Sequence, residues 1–328
     1  MEYTQKLIKF KEISNIYCYK IKDKYYYFIG DIHNSRDNNI NDNVSPTLVI
    51  LQEWLIHNLN HCIMTDFYLE AEFTKHHKRF VYNQIPNLQT SSLLLLCQYY
   101  MHDCFIINKN HLYQPYIHTH YADVRSYDTT TKICYADPYL ILAYTQLELY
   151  TIKDINDLCV LIKYIIYHYR IIFDGMLHPG KFEYFIQQYI NISESLSLPI
   201  KDIINCQVNH LKNLTVNRNG ITMHRIAGEL LKLSEQEPLI ANQIKDYILQ
   251  KATLYSNILK ERYENIDKYI DIENLLDGIT RLSTLSMDAY VLSRMFVQKG
   301  NEIITYTGDN HCHHYKEFFE EYLHQIAI

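Results

Sequence analysis

Gly30-Asp31-Ile32-His33 follows directly on a run of β-forming residues, Tyr25 to Ile29. Near the other end of the chain, Gly308-Asp309-Asn310-His311 follows a second such run, Ile303 to Thr307. A glycine at a strand end lets the backbone turn sharply or approach a ligand closely. Each motif therefore brings one carboxylate and one imidazole to the carboxyl edge of a sheet, where ligands bind in open α/β folds. The repetition predicts two strand ends that converge on one site.

The composition is typical of a folded intracellular protein. Hydrophobic residues make up 48% of the 328 residues and charged residues 21%, which allows a sizeable core and excludes global disorder. A net charge of -6 argues against a broadly basic nucleic-acid-binding surface. The sequence shows neither a run of membrane-spanning length nor a secretory signal pattern. Its eight cysteines include no Cys-x-x-Cys pair, so we expect reduced thiols in a soluble, cytoplasmic, unsecreted protein.

Strand patterns occupy the two ends of the chain. Residues 14–29 predict a hairpin with a turn at Lys22-Asp23-Lys24. Further strands are predicted over residues 63–72, 116–124 and 303–307. Strands alternating with helices, and first and last strands that share a site, indicate an α/β fold with a central mixed or mostly parallel sheet flanked by helices.

The middle of the chain is helical in its periodicity. Candidate helices cover residues 139–150, 153–173, 181–191, 199–215, 238–265 and 281–298, and a closing helix is predicted over residues 314–326. We interpret residues 137–283 as a large all-helical insertion or cap before the last strand. Residues 1–136 and 284–328 then form one α/β core.

Polar residues gather at the predicted strand ends. On the predicted strand over residues 63–72, Glu70 and Glu72 share a face and emerge together at its end. The full set of candidates is Asp31, His33, Glu70, Glu72, Asp123, Arg125, Asp309 and His311. Two imidazoles with carboxylates suit a divalent metal such as Mn, Co, Fe or Zn. The same groups, without metal, support general-base catalysis: a carboxylate orients the histidine and arginine stabilises negative charge.

The sequence resembles the superfamily of TIKI and TraB proteins, erythromycin esterase and ChaN haem-binding proteins. The shared features are two Gly-x-x-His motifs at opposite ends of the chain, a glutamate at the end of the predicted strand over residues 63–72, and an arginine between the motifs. The resemblance extends to uncharacterised proteins of giant DNA viruses and covers roughly residues 24–126 and 284–316. It implies that His33 and His311 are the motif histidines. It also implies that Glu70 is the glutamate, with Glu72 as its competitor, and that Arg125 or Arg294 is the arginine.

The resemblance implies hydrolysis of a peptide, ester or lactone bond. Some family members depend on a metal and others do not, so the ligand set His33, Glu70 and His311 is a hypothesis. The expected partner is a small-molecule or peptide substrate, with neither nucleic acid nor membrane, and a homo-oligomer is compatible with the sequence. For a viral protein, the expected location is the host cytoplasm or the virion.

Two other functions remain open at this level. A virion-packaged or scaffold protein could keep the fold for binding alone, with apolar stripes over residues 238–265 as its docking face. Gly-Asp-Ile-His also resembles the opening motif of metallophosphoesterases. That family requires further motifs in the middle of the chain that this sequence lacks, which ranks the assignment lower.

Overall fold

The computed structural model describes residues 13–31, 64–72, 117–123, 222–264 and 272–328, together with residues 173 and 184. The chain divides into two compact units. The first consists of residues 1–71, 75–121 and 298–328, and the second of residues 72–74 and 122–297. The described residues of the first unit form a mixed sheet with helical segments at its C-terminal end, which confirms the α/β class.

The first two strands form the predicted hairpin. Strand β1 (Ile13–Ile21) pairs antiparallel with β2 (Lys24–Asp31), and Ile21 lies opposite Lys24 across a two-residue loop. Lys22 takes a positive φ of 56° there. Two-residue hairpin loops need such a residue because their twist must match that of the strands.

The sheet order places the last strand between earlier ones. Strand β5 (Glu302–Gly308) lies between β2 and β3 (Thr65–Glu72) and runs parallel to both. Strand β4 (Ile117–Asp123) lies beside β3, so the order is β1-β2-β5-β3-β4. Every residue of β5 is buried, as expected of a central strand in a sheet covered on both faces.

The C-terminal residues cover one face of the hairpin. Helix α4 (Asp309–Glu317) continues into a π-helical turn, Phe318–Tyr322. The ring of Phe319 lies 4.8 Å from that of Phe28 and 5.1 Å from that of Tyr19, measured between centroids. All three rings are buried, and edge-to-face aromatic pairs add to the free energy gained by burying their area.

The second unit contains three described helices: α1 (Thr222–Gln236), α2 (Pro238–Glu264) and α3 (Ile272–Met295). They pack against one another, and α3 is buried on all sides from Leu285 to Ser293. Helix α2 matches its prediction, whereas α3 begins before the predicted residue 281 and α1 was not predicted. The proposed boundary between residues 283 and 284 falls inside α3.

The predicted helices over residues 139–150 and 199–215 lie outside the described residues, as do those over 153–173 and 181–191 apart from Phe173 and Tyr184. Both of these single residues are helical. Among the helices that the structure describes, none combines the length and apolar character needed to cross a bilayer.

Candidate functional site

The two Gly-Asp stretches lie side by side at one edge of the sheet. In the parallel pairing of β2 with β5, Gly30 is opposite Thr307 and Asp31 is opposite Gly308. The backbones of the two motifs are therefore offset by one residue and leave the sheet at the same edge. His33, Arg125 and the side chains of Asp31, Glu72 and Asp123 lie outside the described part of the chain.

Glu70 connects three elements at this edge. Its Oε2 atom accepts a hydrogen bond of 2.5 Å from the backbone N–H of Gly308, the residue at which β5 ends and α4 begins. Its Oε1 atom lies 3.5 Å from Nε2 of His311. The structure thus brings together Glu70 and His311, two of the predicted site residues.

His311 owes its position to an abrupt change from strand to helix. Gly308 is the N-cap of α4 and has no side-chain cap, so Asp309 already belongs to the helix and His311 lies in its first turn. The prediction that this helix begins at His314 is wrong, because the second Gly-Asp-x-His motif is the helix start itself. The His311 ring is buried and stacks with that of Tyr315, with centroids 6.4 Å apart.

Asp309 is directed toward β1. Its Oδ1 atom accepts a hydrogen bond of 2.7 Å from the side chain of Asn15, and its Oδ2 atom lies 3.4 Å from Nε2 of His313. The hydrogen bond from Asn15 holds the start of α4 against the hairpin, whereas the contact with His313 lies within α4. A negative charge in the first turn also complements the helix dipole.

Asp66 forms a second polar cluster, at the amino end of β3, that the sequence did not predict. Its Oδ1 atom is 2.7 Å from Nε2 of His120 and 3.6 Å from Nδ1 of His118, and its Oδ2 atom accepts from the N–H of Gly300 at 2.9 Å. The His120 ring stacks on that of Tyr68. Burial alone would raise the pKa of Asp66, but the hydrogen bond and charge of His120, with the Gly300 N–H and His118, lower it below its usual value.

The sequence-based set of candidate residues also did not include two threonines of β5. Thr305 and Thr307 are buried, and neither side-chain oxygen has a hydrogen-bond partner among the described residues. Phe28 and Tyr68 are the neighbours of Thr305 across the sheet, and the alternation within β5 places Thr307 on the same face as Thr305. The sequence shows them only as threonines at alternate positions of a predicted strand, because the central place of that strand becomes known from the sheet order.

Arg294, the alternative arginine, has its described contacts inside the helical unit. Its Nη1 atom donates a hydrogen bond to the hydroxyl of Tyr290 and lies 3.8 Å from Oε1 of Glu229 on α1. The described contacts of Arg294 are thus those of an arginine that joins α3 to α1.

The spacing of Glu70 and His311 is compatible with two ligands of one cation. Donor atoms about 2.0–2.2 Å from a metal lie a little over 3 Å apart, and the observed separation is 3.5 Å. Within the described ranges, no three His, Cys, Asp or Glu side chains form a group that could hold a metal. His33, the third ligand of the predicted set, lies outside these ranges.

Comparison with known proteins identifies no relative: no protein-family model, curated protein or solved structure matches this chain.

Proposed function

We propose that this protein is a hydrolase of ester, lactone or peptide bonds, with a site centred on Glu70 and His311. The observation that carries the proposal is the bridge made by Glu70, which binds the Gly308 N–H with one oxygen and faces the His311 ring with the other. A carboxylate held in this way can orient an imidazole for proton transfer. Its place at the carboxyl edge of parallel strands supports a ligand site.

In the proposed reaction, the His311 ring takes a proton from water while the water oxygen adds to the carbonyl carbon. The ring then returns that proton to the leaving oxygen or nitrogen as the C–O or C–N bond breaks. General-base catalysis of this kind contributes about 10²–10⁴-fold in rate. His33 is assigned as the second imidazole of the site, and Arg125 is assigned to the negative charge of the tetrahedral intermediate.

A metal-dependent form of the same site would use Glu70, His311 and His33 as ligands. A bound divalent cation would supply a water of lowered pKa and polarise the carbonyl group. Glu70 would still be oriented by the Gly308 N–H, since ligating carboxylates are themselves held by hydrogen bonds.

The test compares His311→Ala with His313→Ala, using p-nitrophenyl acetate, a γ-lactone and a dipeptide amide as substrates. His313 is a matched control because it lies on the same helix but half its side chain is exposed, whereas His311 is buried. We expect kcat/KM to fall by about 100-fold or more in His311→Ala, because the base is lost. His313→Ala should stay within about twofold of wild type, since surface substitutions have small effects.

The proposal fails if His311→Ala keeps the wild-type kcat/KM. A wild-type protein inactive toward all three substrates would favour a binding or scaffold protein. Elemental mass spectrometry of the wild type and of His33→Ala/His311→Ala separates the two mechanisms. Stoichiometric metal that the double variant loses would establish the metal-dependent form, and an active, metal-free wild type would establish the acid–base form.

A further inference from the structure

Thr307 combines burial with the lack of a bonding partner. Its hydroxyl is enclosed on the central strand β5, and no hydrogen-bond partner exists for it among the described residues. Buried side-chain hydroxyls are nearly always paired, because burying one without a partner costs free energy. A valine of almost the same shape would fill this position without that cost. Packing and hydrogen bonding within the described residues therefore do not explain why this position carries a hydroxyl group.

The strand register places this hydroxyl beside the candidate site. The pairing of β3 with β5 ends with Leu69 opposite Tyr306, and continuing that register by one residue puts Thr307 level with Glu70. Parallel neighbours project to the same face of the sheet. On the other side, the partner of Thr307 is Gly30, which presents no side chain. Thr307 also directly precedes Gly308, whose N–H binds Glu70.

Thr305 shares every property of Thr307 except this location. It lies on the same strand and the same face, is equally buried and likewise lacks a described partner. It is two residues further into the strand, about 6.6 Å away. Its sheet neighbours are Phe28 and Tyr68, so an aromatic side chain flanks it on each side.

We propose that Thr307 is a third polar residue of the Glu70–His311 site and that its hydroxyl hydrogen-bonds the water molecule that His311 activates. This inference rests on the proposed function, which supplies the water and its base. A hydroxyl suits the task because it accepts a hydrogen bond from water and rotates freely about its own bond. The oxygen itself stays in one place, because β-branched Thr has restricted rotation about χ1 and β5 is a central strand. The attacking water is thereby oriented.

The experiment measures kcat/KM and Tm for Thr307→Val, Thr307→Ser and Thr305→Val with the substrate that the wild type turns over best. We expect kcat/KM to fall at least tenfold in Thr307→Val through kcat, with recovery to within about threefold in Thr307→Ser, which keeps the hydroxyl. Thr305→Val should retain wild-type activity. Tm should stay unchanged or rise in both valine variants, because neither loses a hydrogen bond within the described fold.

Each result decides the matter. Full activity in Thr307→Val, or equal losses in Thr307→Val and Thr305→Val, would overturn the role of Thr307 and leave the Glu70–His311 site standing. A large fall in Tm for Thr307→Val alone would also overturn it, since the hydroxyl would then have a structural partner. A wild type inactive toward ester, lactone and amide, with His311→Ala identical to it, would overturn the proposed function and this inference together.

Discussion

At the scale of single residues, two carboxylates of β3 hold β5 at its two ends. Asp66 accepts the N–H of Gly300, just before β5, and Glu70 accepts the N–H of Gly308, its last residue. The alternation of side chains along β3 places Asp66 and Glu70 on one face. It did not reveal their backbone partners, because Gly300 has no recognisable motif around it. One acid was therefore predicted as a site residue and the other was missed.

Replacing Asp66 by Asn should lower the free energy of unfolding at pH 7 by about 3 kcal/mol, because the buried carboxylate that bonds His120 Nε2 and the Gly300 N–H loses its charge. The folded-state pKa of Asp66 lies below its unfolded value. Its contribution is thus fully present above the unfolded pKa of about 3.9 and is lost as the pH falls through the folded pKa. Urea unfolding at several pH values should show the variant converging on wild type below about pH 4.

Asp246→Asn is the control for this experiment, because Asp246 is exposed on α2. Its stability should stay within about 0.5 kcal/mol of wild type at every pH. Equal stability of Asp66→Asn and wild type at pH 7 would contradict the assigned role of Asp66.

At the scale of elements, the segment before β5 depends on close backbone approach. The Asn301 N–H donates to the carbonyl of Met64 at 2.7 Å. A Cβ atom added at Gly300 would lie 3.0 Å from that same carbonyl oxygen and would overlap the Asp66 carboxylate. Only glycine allows β5 to start so close to β3.

Gly300→Ala should therefore cost about 2 kcal/mol of stability through overpacking. Gly228→Ala is a matched substitution with the opposite expectation. A Cβ at Gly228, inside α1, would meet nothing within 4 Å, so alanine should gain about 0.5–1 kcal/mol from its higher helix propensity. Thermal or urea unfolding of the two variants measures both values. A Gly300→Ala variant as stable as wild type would show that the close contacts of Gly300 do not require glycine there, and a destabilised Gly228→Ala would contradict the expected gain in helix propensity.

Phe319 tests how firmly the C-terminal elements hold the hairpin. Its ring is fully buried against those of Phe28, Tyr26 and Tyr19, so Phe319→Ala should cost about 3–5 kcal/mol. Ile326→Ala, four residues beyond the π-helical turn, should change stability by less than about 0.5 kcal/mol, because Ile326 is 86% exposed. A small loss in Phe319→Ala, measured by urea unfolding, would mean that the segment contributes little.

At the scale of the whole molecule, the sequence predicted the α/β class because strand alternation and turn residues are local signals. The Lys22-Asp23-Lys24 turn and the alternation in β3 were sufficient to place three strands. Helix α1 was missed although Ile226, Leu230 and Leu233 are buried at helical spacing. Gly228 within it, and the nearby Pro238, resemble a helix end rather than an interior.

The sequence predicted the motif residues of the candidate site but not the contacts that join them. Repetition of Gly-Asp-x-His indicated that His311 and the end of β2 belong to one edge, and the register of β2 with β5 agrees at the level of the backbone. The contact from Glu70 to Gly308 joins distant parts of the chain, and local patterns carry no information on such pairs. The hydroxyls of Thr305 and Thr307 acquire meaning only once β5 is known to lie between β2 and β3.

The central place of β5 has a consequence for biosynthesis. Strands β2 and β3 can pair with β5, which lies between them, only after residues 302–308 have left the ribosome. At 5–20 residues per second, translation from β2 to β5 takes roughly 15 to 50 s. During that interval the nascent chain displays two unfilled strand edges, which are templates for pairing with other chains. Newly made copies are thus most exposed to aggregation before their final strand emerges, and this is the period in which a chaperone would have the greatest effect on yield.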